Sequence, residues 1–393
     1  AGLATTGAAN NFFGLAAGIA TTSGIHNVAM GNLALYTNVD GDDNVAIGSN
    51  ALRNLEPADG SSYNTAVGAH AAINLSSATK NTHVGSYAGG AGVITGTRNN
   101  SFGFEAGKAL TSGTNNVFMG SLSGKAISTG ISNTVCGEAA LITEAAGDKN
   151  TAIGAEALKA QNGGRDGNVG VGYYAGFALT TGENNTIIGT EAMSLSAITS
   201  NANTAVGYRA GQSLTTGANN TSIGALAGDQ ITSGHENVCV GYDTNPSAAD
   251  GFNQIVLGES VSGNSNSSLC FGAGATDSAI AFGATSITAP SDQRYKEEIA
   301  DATAGLAFIK DLRPVTFKWK KEKDVPSDHP SYVEGSDKRV MNDYTNHGFI
   351  AQEVKTTIDN HSDIKDGFDM WSEQGSGGRQ RLGPSSLIPM LVK

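Results

Sequence analysis

A five-residue motif, Asn-x-x-x-Gly, recurs along the first two thirds of this 393-residue chain and constrains its fold more than any other feature. Ten of the fourteen intervals between successive motif glycines are 17 residues long, as from Gly14 to Gly31. In the last copy Gln254 replaces the asparagine. Such a period indicates stacked structural repeats, and it is too short for helix-pair repeats, which need about 33 residues or more. The fifteen motif glycines, here called anchor glycines, are Gly14, Gly31, Gly48, Gly68, Gly85, Gly103, Gly120, Gly137, Gly154, Gly172, Gly189, Gly207, Gly224, Gly241 and Gly258.

A short β-strand is predicted immediately before each anchor glycine. The preceding residue is apolar in every copy, as at Val206, and the residue two earlier is Thr, Val or Ile in most copies, as at Thr204. Residues two apart share one face of a strand, so both are expected to face a core. The small residue between them, such as Ala205, is expected to pack against a neighbour.

Two further positions predict turns. Eleven copies carry a second glycine seven positions before the anchor glycine, such as Gly24 and Gly217. A turn that requires a positive φ would explain it. The motif asparagine tolerates left-handed backbone, and stacked copies are expected to form an asparagine ladder.

One strand and two corners in each repeat are typical of one coil of a parallel β-solenoid. A coil cannot bury its apolar face alone, so coils stack. We predict a mainly β chain with a parallel β-solenoid of about 15 coils over residues 1–262 and a β-rich connector over 263–290. The content of small residues favours packing of three chains; the handedness, and whether the chains intertwine, stay open.

The solenoid motif resembles two groups of repeats. Asn-Thr-Ala-Val-Gly, at Asn64–Gly68 and Asn203–Gly207, is similar to head repeats of trimeric autotransporter adhesins and to repeats of phage and marine bacterial fibres. The Gly-Gly-x-Gly-x-Asp signature of calcium-binding rolls is absent. The resemblance implies a fibre made of three chains.

The chemistry changes near Pro290. Residues 291–393 contain 32 of the 60 charged residues and both tryptophans. Four segments of this part resemble the endosialidase-type intramolecular chaperone family, which is also a family of self-cleaving serine peptidases. They are Ser291–Ile299, Leu312–Trp319, Gly348–Val354 and Ser386–Lys393, the last resembling the start of a C-terminal helix that we expect to be truncated.

The resemblance implies a small α+β domain over residues 291–393 that trimerises, nucleates folding of the fibre and is then released. It maps the catalytic pair to Ser291 and Lys296, with cleavage between Pro290 and Ser291. A serine hydroxyl needs a base to take its proton, and a desolvated lysine can serve. The alternative is that Ser291 caps a helix that begins near Arg294, and that Lys296 is a surface lysine.

Composition argues against several other classes. A net charge of −12 disfavours nucleic-acid partners, whose phosphates need Lys and Arg. No apolar run reaches the length of roughly 18 residues that a membrane-spanning helix needs, so we expect no membrane insertion. Cys136, Cys239 and Cys270 are read as small buried apolar residues, and Asp40–Asn44 as a solvated turn lacking the remaining ligands of a calcium loop. No cofactor and no metal are expected.

We therefore predict a structural tail fibre or appendage of a phage or phage-like particle, located on the virion or as an extracellular appendage. Its expected partners are two further copies of the chain, a host-surface glycan or protein receptor, and tail or baseplate proteins reached through a missing N-terminal part. A bacterial trimeric surface adhesin and a polysaccharide-degrading tailspike are the alternatives.

Overall fold

Two compact units make up the chain, Ala1–Ser291 and Asp292–Lys393. The computed structural model describes residues 7–56, 60, 62–90, 92–274, 276–284, 287–288, 293–299, 305–327, 331–362, 364, 368, 370–373, 380–383, 387 and 391. Each unit is described separately below.

The first unit is one 17-stranded sheet. Its strands are β1 (Asn11–Phe13), β2 (Val28–Met30), β3 (Val45–Ile47), β4 (Thr65–Val67), β5 (Thr82–Val84), β6 (Asn100–Phe102), β7 (Val117–Met119), β8 (Thr134–Cys136), β9 (Thr151–Ile153), β10 (Val169–Val171), β11 (Thr186–Ile188), β12 (Thr204–Val206), β13 (Thr221–Ile223), β14 (Val238–Tyr242), β15 (Gln254–Glu259), β16 (Ser268–Ala273) and β17 (Ser278–Ala281).

Every strand from β1 to β15 pairs in parallel with the equivalent strand of the next coil. Asn11 opposes Val28 and Thr204 opposes Thr221, so repeat positions stack in register. Only β17 reverses direction, pairing antiparallel with β16. The predicted parallel β-solenoid with a 17-residue period is thus confirmed. The strand β16 was missed in the sequence because the step from Gly258 to Gly272 is shorter than the repeat period and serine replaces the motif asparagine.

The prediction of which strand residues face the coil interior was wrong. The middle residue points inward and is buried, as Ala205 is, whereas its neighbours Thr204 and Val206 are partly exposed. A coil this thin holds only a small residue in its strand unless space is made elsewhere. An aspartate in place of Val206 would therefore lie on the outside of the coil and not in its interior.

In several coils, interior volume is divided between the middle strand residue and the residue four after the anchor glycine. In the coil of Gly31, for example, the middle strand residue is the small Ala29 and the residue four after the glycine is the buried Leu35. Large Phe118 lies against Gly124, where an added Cβ would come within 2.4 Å of the ring. Because coils stack in register, the buried rows join into one continuous core along the solenoid.

The predicted asparagine ladder is confirmed. In all fourteen steps from Asn10 to Gln254, the backbone N–H of the next ladder residue donates to the preceding Asn Oδ1 over 2.8–3.1 Å. Side-chain Nδ2 groups also donate to turn carbonyls of the following coil, as Asn116 does to Gly130 over 2.8 Å. The ladder thereby satisfies buried polar groups that a small core could not otherwise tolerate.

Two predictions about the turns gave the wrong physical reason for the residues found there. The left-handed residue is the one before the asparagine, such as Lys80 or Asn219, and not the asparagine itself. The glycines seven positions before the anchor do not have positive φ. They are glycines because the next coil approaches closely: a Cβ on Gly217 would lie 2.0 Å from the carbonyl oxygen of Gly234. Anchor glycines need both a positive φ and the absence of a Cβ. Gly103 has φ +137°, and a Cβ on it would lie 2.5 Å from the carbonyl oxygen of Gly120.

The second unit contains α1 (Leu306–Asp311), α2 (Ala351–Asn360) and two antiparallel strand pairs, β18 (Val315–Phe317) with β19 (Asn346–Gly348) and β20 (Trp371–Glu373) with β21 (Gln380–Leu382). Short 3₁₀ helices span Gln293–Tyr295 and Glu322–Asp324. The small core is formed by Phe308, Leu312, Val354, Ile358 and Met370.

Candidate functional site

An uninterrupted apolar stripe runs along the outside of the solenoid. It consists of the outward strand residue that directly precedes each anchor glycine, together with the residue before Gly272 in β16. Many of these side chains are substantially exposed, Met119 to 46%. The apolar stripe comprises Phe13, Met30, Ile47, Val67, Val84, Phe102, Met119, Cys136, Ile153, Val171, Ile188, Val206, Ile223, Val240, Leu257 and Phe271.

A second surface, the corner face, is mixed in chemistry and carries charged residues. It is formed by residues one, two and five after each anchor glycine. Twelve of these are charged: Arg53, Glu105, Lys108, Lys125, Glu138, Glu156, Lys159, Glu191, Arg209, Asp229, Asp243 and Glu259. The apolar stripe has no charged member in sixteen positions. A contiguous exposed apolar surface of this kind marks an association site, whereas charged faces stay in water.

Two of the four motif segments in the C-terminal unit lie on regular secondary structure. Leu312–Trp319 contains β18, and Gly348–Val354 runs from the end of β19 into α2. Arg313 and Glu353 join these segments by a two-pronged ion pair, with Nε 2.9 Å from Oε2. The Arg313 guanidinium lowers the pKa of Glu353. Because both side chains are well exposed, this pair fixes orientation more than it adds stability.

The predicted cleavage pair is only partly within the described residues. Pro290 and Ser291 lie outside them, as does most of Ser386–Lys393. Lys296 follows the 3₁₀ helix Gln293–Tyr295 and is exposed. This short 3₁₀ helix lies where the alternative interpretation, a helix beginning near Arg294, predicted the start of a helix. Self-cleavage therefore stays a prediction.

Glu144 is a buried carboxylate that the sequence did not single out. It replaces an interior leucine or isoleucine of other coils, such as Ile127. Burial would raise its pKa, but backbone N–H groups of Ala145, Ala146, Gly147, Gly164 and Arg165 donate to it and lower the pKa overall. The carboxylate thus stays ionised and holds a loop of the adjoining coil.

His83 occupies an inward strand position and is fully buried. Neither ring nitrogen has a hydrogen-bond partner, nor does Oγ of Ser101, the residue paired with it in the adjoining coil. The ring fits because Gly89 lacks a Cβ, which would lie 2.5 Å from it. Desolvation lowers the pKa of His83 to about 4, so the folded chain holds it neutral at pH 7.

Acidification should therefore destabilise the solenoid through His83. The unfolded chain binds a proton near pH 6.5 and the folded chain only near pH 4, so stability is complete above pH 6.5 and falls between these values. The full loss is about 3 kcal/mol per chain. His83→Ala should flatten the dependence of the thermal midpoint on pH between 7 and 4.5. The control His235→Ala, at an exposed histidine, should leave it unchanged; equal slopes in all three proteins would contradict the assignment.

The remaining candidates are structural. Cys239 and Cys270 are buried as predicted, but Cys136 lies in the apolar stripe and is only half-buried. Asp42 of the acidic Asp40–Asn44 turn accepts a hydrogen bond from the backbone N–H of Ile25 over 2.8 Å.

Within the described ranges, no three His, Cys, Asp or Glu side chains gather as a metal site would require. No helix in the described part of the chain has the length and apolar character needed to cross a bilayer.

Comparison with known proteins identifies the C-terminal unit. Residues 291–363 match the family model described as chaperone of endosialidase. The C-terminal part of the chain therefore carries a chaperone-of-endosialidase domain, as its motif segments predicted. Searches of curated proteins and of solved structures gave no match for the chain. The chain thus combines a fibre-like β-solenoid with an endosialidase-type chaperone domain.

Proposed function

We propose that this chain is the shaft of a homotrimeric fibre, a tail fibre or similar appendage of a phage or phage-like particle, and that it mediates attachment to a host surface. The observation that carries the proposal is the apolar stripe on a solenoid that is followed by a chaperone-of-endosialidase domain. Three stripes that face a common axis would bury their side chains, for a gain on the order of 10 kcal/mol per chain.

The C-terminal domain supplies the trimerising unit in this proposal, and the charged corner faces remain in water. A fibre of this kind acts outside the producing cell, on the virion or as an extracellular appendage. Host-surface glycans or proteins, and tail or baseplate proteins, are its proposed partners.

The assembly state tests the proposal directly. Light scattering on the purified full chain carrying Ser291→Ala, which keeps shaft and chaperone joined, should give three times the 39.9 kDa of one chain. A monomeric mass under native conditions would refute the trimeric fibre.

Self-release is the second part of the proposal. Ser291 Oγ attacks the carbonyl carbon of Pro290 while Lys296 accepts the hydroxyl proton. Lys296 then returns this proton to the Ser291 nitrogen as the C–N bond breaks, which leaves an ester between Pro290 and Ser291 Oγ and a free Ser291 amine. Water then hydrolyses the resulting ester. The scissile bond is a secondary amide, because its nitrogen belongs to Ser291.

Cleavage should separate the unmodified chain into residues 1–290 and a fragment that begins at Ser291. Denaturing gels with N-terminal sequencing of the smaller band measure this. Ser291→Ala and Lys296→Ala should each remove the band and leave trimers assembled, while Lys310→Ala should cleave normally. An unmodified chain that stays intact would make the domain a retained fibre tip.

A further inference from the structure

A groove interrupts the corner face across three successive coils, those that start at Gly172, Gly189 and Gly207. It encloses about 400 Å³ and is lined by Tyr173, Tyr174, Phe177, Glu191, Arg209 and Gln212, among others. The proposed trimer interface, the apolar stripe, does not include these residues. The groove is therefore available for another role.

The sequence builds this groove by breaking its own repeat pattern. The coil that starts at Gly172 places aromatic residues at the first, second and fifth positions after the anchor glycine, Tyr173, Tyr174 and Phe177. The following coil has only Ser194 at the position of Phe177. A large side chain stacked beside a small one leaves open volume, which the aromatic rings border.

The rings form a fixed platform. Tyr173 and Tyr174 meet edge to face with centroids 4.1 Å apart, and Phe177 is tilted against Tyr174 at 4.6 Å. Tyr173 is nevertheless 49% exposed, so part of its ring remains open to solvent. Such rings offer large apolar contact at low entropic cost.

Polar groups stand opposite the platform in a fixed arrangement. Arg209 Nε donates to Glu191 Oε2 over 2.7 Å, and the guanidinium lies 4.9 Å from the centroid of the Tyr208 ring. This contact uses one nitrogen and one oxygen, so the other guanidinium nitrogens and Oε1 keep hydrogen-bonding capacity. The hydrogen bond with Tyr173, together with burial and the Glu156 charge, raises the pKa of Tyr174 to about 12, which keeps its hydroxyl protonated.

Charges around the groove balance. Arg209 pairs with Glu191, and Lys159 pairs with Glu156 over 2.9 Å while lying 5.2 Å from the centroid of the Phe177 ring. Two cations and two carboxylates leave no net charge to attract an ionic ligand. An uncharged ligand that presents both apolar C–H faces and many hydroxyl groups fits this combination of surfaces.

We propose that this aromatic groove binds an uncharged saccharide unit of a cell-surface glycan. The inference rests on the proposed function, because it supplies the attachment step of the trimeric fibre. Tyr173 and Phe177 pack against the C–H face of a sugar ring, while Glu191, Arg209 and Gln212 exchange hydrogen bonds with its hydroxyls. A trimer carries three such grooves, so weak single-site binding becomes strong on a surface that displays many copies of the glycan.

Saturation-transfer NMR on the full chain carrying Ser291→Ala tests the groove. The probes are maltohexaose, cellohexaose, mannohexaose and chitohexaose as neutral glycans, with hexagalacturonate as the anionic one. We expect saturation transfer to at least one neutral probe and none to hexagalacturonate. Tyr173→Ala should weaken that binding about tenfold, and Glu191→Gln, which keeps shape but removes charge, should also weaken it.

Tyr242→Ala is the matched control, because Tyr242 has the same repeat position and is 52% exposed but lies away from the groove. This variant should bind the neutral probe as the parent chain does. The inference is overturned if no neutral probe binds, if only hexagalacturonate binds, or if Tyr173→Ala binds like the parent. The mass of the same sample separates the two proposals: a trimer without binding refutes the groove alone, whereas a monomer refutes the fibre.

Discussion

Residues 1–290 expressed without the C-terminal unit should accumulate as aggregate, whereas the full chain yields soluble trimer. Coils of nearly identical sequence can pair out of step by one coil at almost no cost, so the shaft specifies its own register weakly. Parallel pairing between distant residues is also slow, and it exposes strand edges and the apolar stripe meanwhile. Sedimentation and light scattering of the two proteins, expressed identically, measure the difference.

The matched control is the full chain with Ser291→Ala, which keeps the chaperone attached. A second comparison follows cleavage: once assembled, the shaft should persist without the C-terminal unit because its unfolding barrier is high. Efficient recovery of soluble native trimer from residues 1–290 alone would show that the C-terminal unit is dispensable for folding.

Ile188→Asp should dissociate the trimer while leaving each solenoid folded. Ile188 belongs to the apolar stripe, and three copies of the substitution would bring three carboxylates into an apolar interface. Burying unpaired like charges costs several kcal/mol each, on the order of the whole stability of a small domain. Light scattering should report one third of the parent mass, with the β-rich circular dichroism spectrum retained.

Two substitutions in the same coil serve as controls. Thr190→Asp changes an exposed residue of the corner face and should leave the trimer intact. Ile187→Asp changes the buried inward residue of the same strand and should destroy the fold itself. A trimer that survives Ile188→Asp would place the interface on another face of the solenoid.

The comparison of Ile187 with Ile188 also shows what the repeat pattern leaves undecided. Both are large apolar residues next to each other in one strand, and either face could be the interior by alternation alone. The tertiary structure decides the question. It places Ile187 in the coil interior, beside Gly176 of the adjoining coil, where an added Cβ would lie 2.9 Å from the Ile187 side chain. The recurrent apolar stripe lies on the outside of the coil.

Elements whose signal is local and repeated can be predicted from the amino-acid sequence. Period, strand position, parallel stacking and the asparagine ladder all follow from a motif that returns at nearly constant spacing, and four short segments sufficed to indicate the chaperone domain. Features that depend on contacts between coils emerge from the three-dimensional structure. These are the inward face of each strand, the crowding that excludes a Cβ at Gly217, the buried state of His83, and the groove beside Tyr173, each of which arises because stacking brings residues one repeat apart into contact.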